Sequence, residues 1–181
     1  SERMYFAYMR NYGLQVRVAR FHNIFGPSGT WRGGREKAPA PLCRKVAGLP
    51  PEGGVIEVWG DGEQTRSFLY IEECLEACVR LVASDFAGPV NVGSEEKVSI
   101  NQLVELIAEA AGKSVAIAHV HGPQGVRGRT SHNALIRARL GWAPSQALAI
   151  GVRHTYKWIA EQLREGDACE RAGSLCKHVK A

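Results

Sequence analysis

Cysteine stands at only five positions in 181 residues, and no two of them form a Cys-x-x-Cys pair. Cys74 and Cys78 share helical i,i+4 spacing, while Cys43, Cys169 and Cys176 are scattered. This pattern offers neither a disulfide framework nor a zinc knuckle and reads as reduced thiols with no metal site. No apolar run reaches the roughly 18 residues a membrane-spanning helix needs, and no leader pattern opens the chain. A soluble, cytoplasmic protein without a membrane partner is expected. Acidic residues are scarce at one end: residues 1–45 hold two of them against nine Lys/Arg, leaving 16 against 14 for the remainder. The net charge of +5 is therefore local. A local basic segment can serve a nucleic acid, an anionic membrane or a small phosphorylated ligand. For this segment the sequence offers Trp31 as its one exposed interleaved aromatic, so a nucleic-acid partner is not expected.

What is present is ordinary globular material, 45% hydrophobic and 23% charged. A chain of this length buries roughly 70% of its unfolded surface. Periodicity predicts helices near 3–10, 41–47, 72–84, 99–112, 133–140 and 148–164. Leu75, Cys78, Val79 and Val82 form the apolar spacing of the third, and Ser99 with Gln102 gives the fourth a capping box. Extended segments are predicted at 14–21, 55–59, 67–70, 89–92 and 115–120, and a loose tail at 166–181. The stretch 28–41 is too long and too basic for a plain connector, which marks it as a functional loop.

Two glycine patterns invite a nucleotide reading and fail it. Gly122 to Gly128 fits GxxGxxG, but the first acid after it is Glu161, too far on to hold a ribose. Gly112-Lys113-Ser114 resembles the end of a phosphate-binding loop, but it closes a helix where such a loop would open one. Arg66 follows the Gly60-Asp61-Gly62 turn, and Arg127 and Arg129 bracket Gly128; they form either a bidentate clamp for a diphosphate or a solvated basic surface. Arg32-Gly33-Gly34-Arg35-Glu36-Lys37 is either a solvated loop or one that closes on an anion and carries a catalytic lysine. A lysine serves as a base only when burial or neighbouring cations draw its pKa towards neutrality. Asn23 reads as a turn-former or a ligand contact. His22 reads as structural, and His119 and His121 share a strand face with no third metal ligand.

Taken together, Arg20 to Pro27 (RFHNIFGP), Trp31 to Pro39 (WRGGREKAP), Trp59 to Phe68 (WGDGEQTRSF), Val90 to Ser94, Gly125 to Arg129 and Leu140 to Pro144 (LGWAP) resemble the extended short-chain dehydrogenase/reductase family of nucleotide-sugar epimerases and dehydratases. The WRGGREKAP stretch is particular to members that epimerise GDP-mannose at C3 and C5. The resemblance covers about residues 1–165, with Phe25 where the family usually has Tyr. It implies an α/β fold: the C-terminal part of a Rossmann-like NAD-binding fold plus a smaller substrate domain. On that basis residues 1–30 and 67–98 belong to the cofactor domain and 31–66 and 99–165 to the substrate domain. It further implies NAD as cofactor, a GDP-sugar as substrate and a homodimer. Lys37 falls on the catalytic acid/base, and Asn23, Glu36, Ala38, Lys45, Gln64, Thr65, Arg66 and Arg129 fall on substrate-binding positions. The family's Tyr-x-x-x-Lys pair, glycine loop and partner cysteine have no match here. A fragment inactive by itself is therefore expected, with Cys43 a packed thiol and not the missing cysteine.

Overall fold

A computed structural model describes residues 1–122 and 125–171. In chain order the elements are helix α1 (Glu2–Tyr12), strands β1 (Ala19–Phe21) and β2 (Ile24–Phe25), helix α2 (Ala40–Ala47), strands β3 (Gly53–Trp59), β4 (Thr65–Ser67) and β5 (Leu69–Tyr70), helix α3 (Ile71–Ala83), strands β6 (Val90–Val92) and β7 (Lys97–Ser99), helix α4 (Ile100–Ala111), strands β8 (Ser114–Val120) and β9 (Gly128–Arg129), and helices α5 (Ala134–Leu140) and α6 (Leu148–Arg171). The fold is mixed α/β, as expected. No described helix is long and apolar enough to cross a membrane. Two compact units share the chain: Ser1–Phe25, Gln64–Ser99 and Gly125–Leu148 form the first, and Gly26–Glu63 with the described parts of 100–124 and 149–181 form the second.

In the first unit β1 pairs with β6 and β2 with β5, both parallel, and β4 lies between antiparallel β7 and parallel β9. Leu69, Val90 and Val92 from the strands pack on Cys74, Ala77 and Leu81 of α3, with Ile136 and Trp142 closing the cluster. Each such large apolar side chain contributes about 1.5–3 kcal/mol. The strand expected over 14–21 forms a ladder only at Ala19–Phe21, because its partner β6 offers three residues. Of the apolar positions Leu14, Val16 and Val18 that alternate with Gln15 and Arg17, Val16 and Val18 are buried and Leu14 is exposed. The short strands β7 and β9 were not foreseen, being too short to show a period.

Helix α3 corrects the sequence reading most sharply. Its buried residues are Glu73, Cys74, Ala77 and Leu81. Leu75, Val79 and Val82, the stripe expected to pack, are exposed at 56%, 69% and 71%. Both stripes have helical spacing; the one with small residues lets the helix approach the strands closely, and periodicity cannot choose between them. Helix α1 buries no residue at all. Tyr5, Tyr8, Tyr12 and Phe21 are exposed, which overturns the expectation that Trp31 would be the one exposed aromatic of the basic segment. Tyr8 and Tyr12 pack on each other, with ring centroids 5.2 Å apart.

The second unit is built on the parallel pair β3–β8, in register from Gly53↔Ser114 to Trp59↔Val120. Buried Leu42, Cys43 and Val46 of α2, Leu103, Val104 and Ile107 of α4, Ile56 and Val58 of β3, and Val152 and Ile159 of α6 supply its apolar interior. Gly53 is required at the start of β3: its φ is +111°, and a Cβ there would lie 1.7 Å from the Ser114 carbonyl oxygen. Helix α6 continues to Arg171, beyond the end expected at Arg164. The rest of the expected tail, 172–181, lies outside the described residues.

Candidate active site

The sequence-predicted residues fall into two sets, one in each unit. In the first unit, β4 and β9 pair in parallel with Thr65 opposite Gly128 and Arg66 opposite Arg129. Residues in register on neighbouring strands, about 4.8 Å apart, point to the same face. The pairing therefore brings the backbones of two arginines 63 positions apart in sequence onto neighbouring strands with their side chains on the same face. Arg66 Nη1 donates to the Thr65 carbonyl at 2.7 Å, and the Thr65 N–H donates to the Arg127 carbonyl at 2.9 Å. Among the described residues neither Arg66 nor Arg129 is paired with a carboxylate, whereas Arg20, Arg80 and Arg137 of this unit are. Gly125 lies close to Arg66, so a Cβ there would be 3.5 Å from Nη2. Gln64 and Thr65 are half-buried beside this pair in sequence. Asn23 adopts φ 44°, the left-handed conformation that asparagine tolerates. Its Nδ2 donates to the Ser67 carbonyl at 2.9 Å, and its own carbonyl accepts the Leu69 N–H at 3.2 Å. Both turn-former and ligand contact remain compatible with that geometry, since Oδ1 is not used in the Ser67 bond.

In the second unit the loop carrying Lys37 is tied to α2 through Arg44, a residue the sequence did not single out. Arg44 Nε donates to the Trp31 carbonyl at 3.1 Å and Nη2 to Glu36 Oε1 at 2.9 Å. Trp31 packs edge-on against Trp158 with centroids 6.3 Å apart, and Arg32 stacks over the Trp31 ring at 5.0 Å. The Glu36 side chain is 6% exposed. Its own backbone N–H, then Arg44 and the Gly34 N–H, hold its carboxyl below the ordinary range against the opposing effect of burial. Buried Glu36 Oε2 has no hydrogen-bond partner among the described residues. Lys37 itself is exposed, Ala38 is half-buried, and Lys45 in the last turn of α2 donates to the Glu57 carbonyl at 3.3 Å. Cys43 is fully buried, and burial pushes its thiol up to about 12, as for a packed thiol.

His119 and His121 line a shallow cleft of about 430 Å³ with Gly60 and Gly122. No cluster of three potential metal ligands occurs among the described residues. Lys113, set aside above as no phosphate-loop lysine, donates to the carbonyls of Val46, Ala47 and Leu49 at 3.0, 3.1 and 2.6 Å. It secures the C-terminal end of α2, where unpaired carbonyls and the helix dipole favour a cation.

The sequence model for the NAD dependent epimerase/dehydratase family matches residues 1–93. The chain belongs to this family. Among curated members, GDP-mannose 3,5-epimerase 1 of Oryza sativa subsp. indica is 52% identical over 87% of this chain and 41% of its own length. UDP-glucuronic acid decarboxylase 1 of Xenopus tropicalis is 32% identical over 90% of this chain and 38% of its own. The chain thus spans about two fifths of the length of these relatives. A solved UDP-glucose 4-epimerase from Thermotoga maritima, with UDP-glucose, superposes with a TM-score of 0.78 at 25% identity, covering 88% of this chain and 51% of that one.

Proposed function

We propose that the complete protein is a nucleotide-sugar epimerase that inverts C3 and C5 of GDP-mannose to give GDP-L-galactose through a 4-keto intermediate. The observation that carries this reading is the in-register pair Arg66 and Arg129, two planar donor forks with no carboxylate paired to either among the described residues. A diphosphate is the ligand such a pair suits. Identity of 52% to a GDP-mannose epimerase, against 32% to a UDP-sugar decarboxylase, supports the guanosine substrate over a uridine one. In this reading residues 1–30 and 67–98 belong to the cofactor domain of the enzyme and 31–66 and 99–165 to its substrate domain. Asn23, Gln64 and Thr65 join the arginines as substrate contacts, as do Ala38 and Lys45. Glu36, fixed as a carboxylate by Arg44, offers its unpartnered Oε2 to a sugar hydroxyl.

Lys37 is the acid/base in this proposal. A ketone at C4 acidifies the hydrogens on C3 and C5 because the carbanion left behind is delocalised onto oxygen. A neutral amine removes such a proton, and the ammonium returns one; inversion follows when removal and return occur on opposite faces, so a second group must stand across the ring. Lys37 is exposed, so the desolvation that makes a lysine a base must come from bound sugar excluding water. The family's NAD, when bound, would supply the oxidation at C4. The described segments do not fit it: β5 runs into α3 without a glycine, and the Gly122 to Gly128 stretch leads into β9 and not into a helix. A cytoplasmic homodimer completes the proposal; the exposed face of α1, with Met4, Tyr5, Tyr8 and Tyr12, is compatible with an oligomer contact.

The test is product analysis of the full-length protein with GDP-mannose in heavy water, following deuterium at C3 and C5. Lys37→Ala should abolish exchange and inversion while leaving GDP-mannose and NAD binding intact. Unchanged GDP-mannose alongside turnover of a UDP-sugar would make it a different epimerase or dehydratase. Binding of GDP-mannose without any exchange would make it a non-catalytic sugar-nucleotide binder.

A further inference from the structure

The turn leading into Gln64, Thr65 and Arg66 is held by one side chain whose polar groups are all engaged. Asn101, in the first turn of α4, donates its backbone N–H to the Gly62 carbonyl at 3.1 Å. Its Nδ2 donates to the Asp61 carbonyl at 3.0 Å and to Glu63 Oε1 at 2.8 Å. The turn closes on itself where the Glu63 N–H donates to Asp61 Oδ1 at 2.9 Å. Two acceptors at Nδ2 fix which way the amide points, so Oδ1 is the atom that faces His119 Nε2 at 3.1 Å. A carbonyl oxygen accepts and does not donate, so His119 carries a proton on Nε2. Gly62 makes the arrangement possible: its φ is +70°, and a Cβ there would lie 1.8 Å from Asn101 Oδ1.

Gly60 and Gly62, both at positive φ, give this turn a large conformational freedom when unrestrained. Asn101 removes that freedom, and Gln64 follows Glu63 with no intervening residue. We propose that Asn101, set in orientation by His119, is a positioning residue that preorganises Gln64, Thr65 and Arg66 for the nucleotide sugar. The inference rests on the function proposed above for those three residues. Preorganisation of this kind lowers the ordering cost of binding and leaves the chemical step alone. The signature is therefore a change in KM without one in kcat.

The experiment uses the full-length protein. Asn101→Ala should raise KM for GDP-mannose about tenfold with kcat within about twofold of wild type. Asn101→Asp, which cannot donate and faces Glu63 with a second carboxylate, should do at least as much. His119→Gln keeps an N–H donor and should stay near the wild-type KM, whereas His119→Phe should follow Asn101→Ala. Two readouts need no substrate. Nitrogen-15 spectra of labelled histidine should show His119 protonated at Nε2, the signal being assigned by its loss in His119→Phe. Hydrogen exchange at the Glu63 amide should quicken in Asn101→Ala. An Nδ1–H tautomer in the wild type would overturn the proposal even if every variant failed to fold. So would Asn101→Ala with unchanged KM and unchanged Glu63 exchange. The expected tautomer and exchange in a protein that leaves GDP-mannose untouched would refute the proposed function and leave the Asn101 clamp standing.

Discussion

Replacing Lys113 by methionine removes a single ammonium and leaves its aliphatic stem in place. That ammonium lies 3.0, 3.1 and 2.6 Å from the carbonyl oxygens of Val46, Ala47 and Leu49, at the C-terminal end of α2. A hydrogen bond to a charged group is worth about 1.5–3 kcal/mol net. The three bonds share one charge and the side chain is only half-buried, so they do not add in full. Water recovers part of the hydrogen bonding when the ammonium is gone. The expected loss is about 2–3 kcal/mol. Because the chain holds two compact units that need not unfold together, a global melt is a poor readout. Native-state hydrogen exchange at the α2 amides reports the local opening instead, and the loss corresponds to exchange about 30- to 150-fold faster. Lys113→Arg should fall between, since a planar fork cannot converge on three carbonyls as a tetrahedral ammonium does. Exchange within about threefold of wild type in Lys113→Met would refute the reasoning and show that water replaces the ammonium without loss.

Arg66→Ala and Arg129→Ala should each weaken GDP binding by about 10- to 100-fold, measured by calorimetry on the full-length protein, and the double variant should lose less than the product of the two. Equal binding by all three would remove the diphosphate assignment. Glu36 and Glu95 have carboxyls held below their ordinary range, Glu95 by the Asn133 N–H first and then by Arg137. A carboxyl whose pKa is lower folded than unfolded contributes stability above the unfolded value, and that contribution fades as pH falls through the folded one. Native-state hydrogen exchange, corrected for its intrinsic pH dependence, should therefore show local stability around Glu36 and Glu95 dropping as pH is taken below the ordinary carboxylate range, and Glu36→Gln and Glu95→Gln should each flatten that acid limb in its own unit. A limb of unchanged slope in both variants would place the acid sensitivity elsewhere.

Much of the fold was legible because it follows from local chemistry. Gly13 and Gly141 end their helices in the left-handed conformation, as glycine after an amphipathic run predicts. The alternation of Leu14, Val16 and Val18 marks Val16 and Val18 as buried even where no ladder forms, though not Leu14, which is exposed at the start of the segment. Helix α3 shows the limit. Two apolar stripes share one period, and which one is buried depends on the strands it meets, not on its own residues. The strands β7 and β9 were invisible for a related reason: two or three residues carry no period, and they exist because β4 offers them a partner.

The candidate site divides in the same way. Residue types and spacing marked a basic glycine loop with Lys37 and a set of arginines as ligand-binding material, because only certain side chains can grip phosphate or carry a proton. Resemblance to a family then attached roles to them. What sequence could not show is that Arg66 and Arg129 stand in register, that Arg44 fixes Glu36, or that Asn101 and His119 hold the turn before Gln64. Each of these joins residues 8 to 63 positions apart through bonds whose partners are named by strand pairing and packing. Charge, chirality and propensity act along the chain and can be read from it. Register and contact arise when separate segments bury surface together, so only the folded molecule decides which side chains meet.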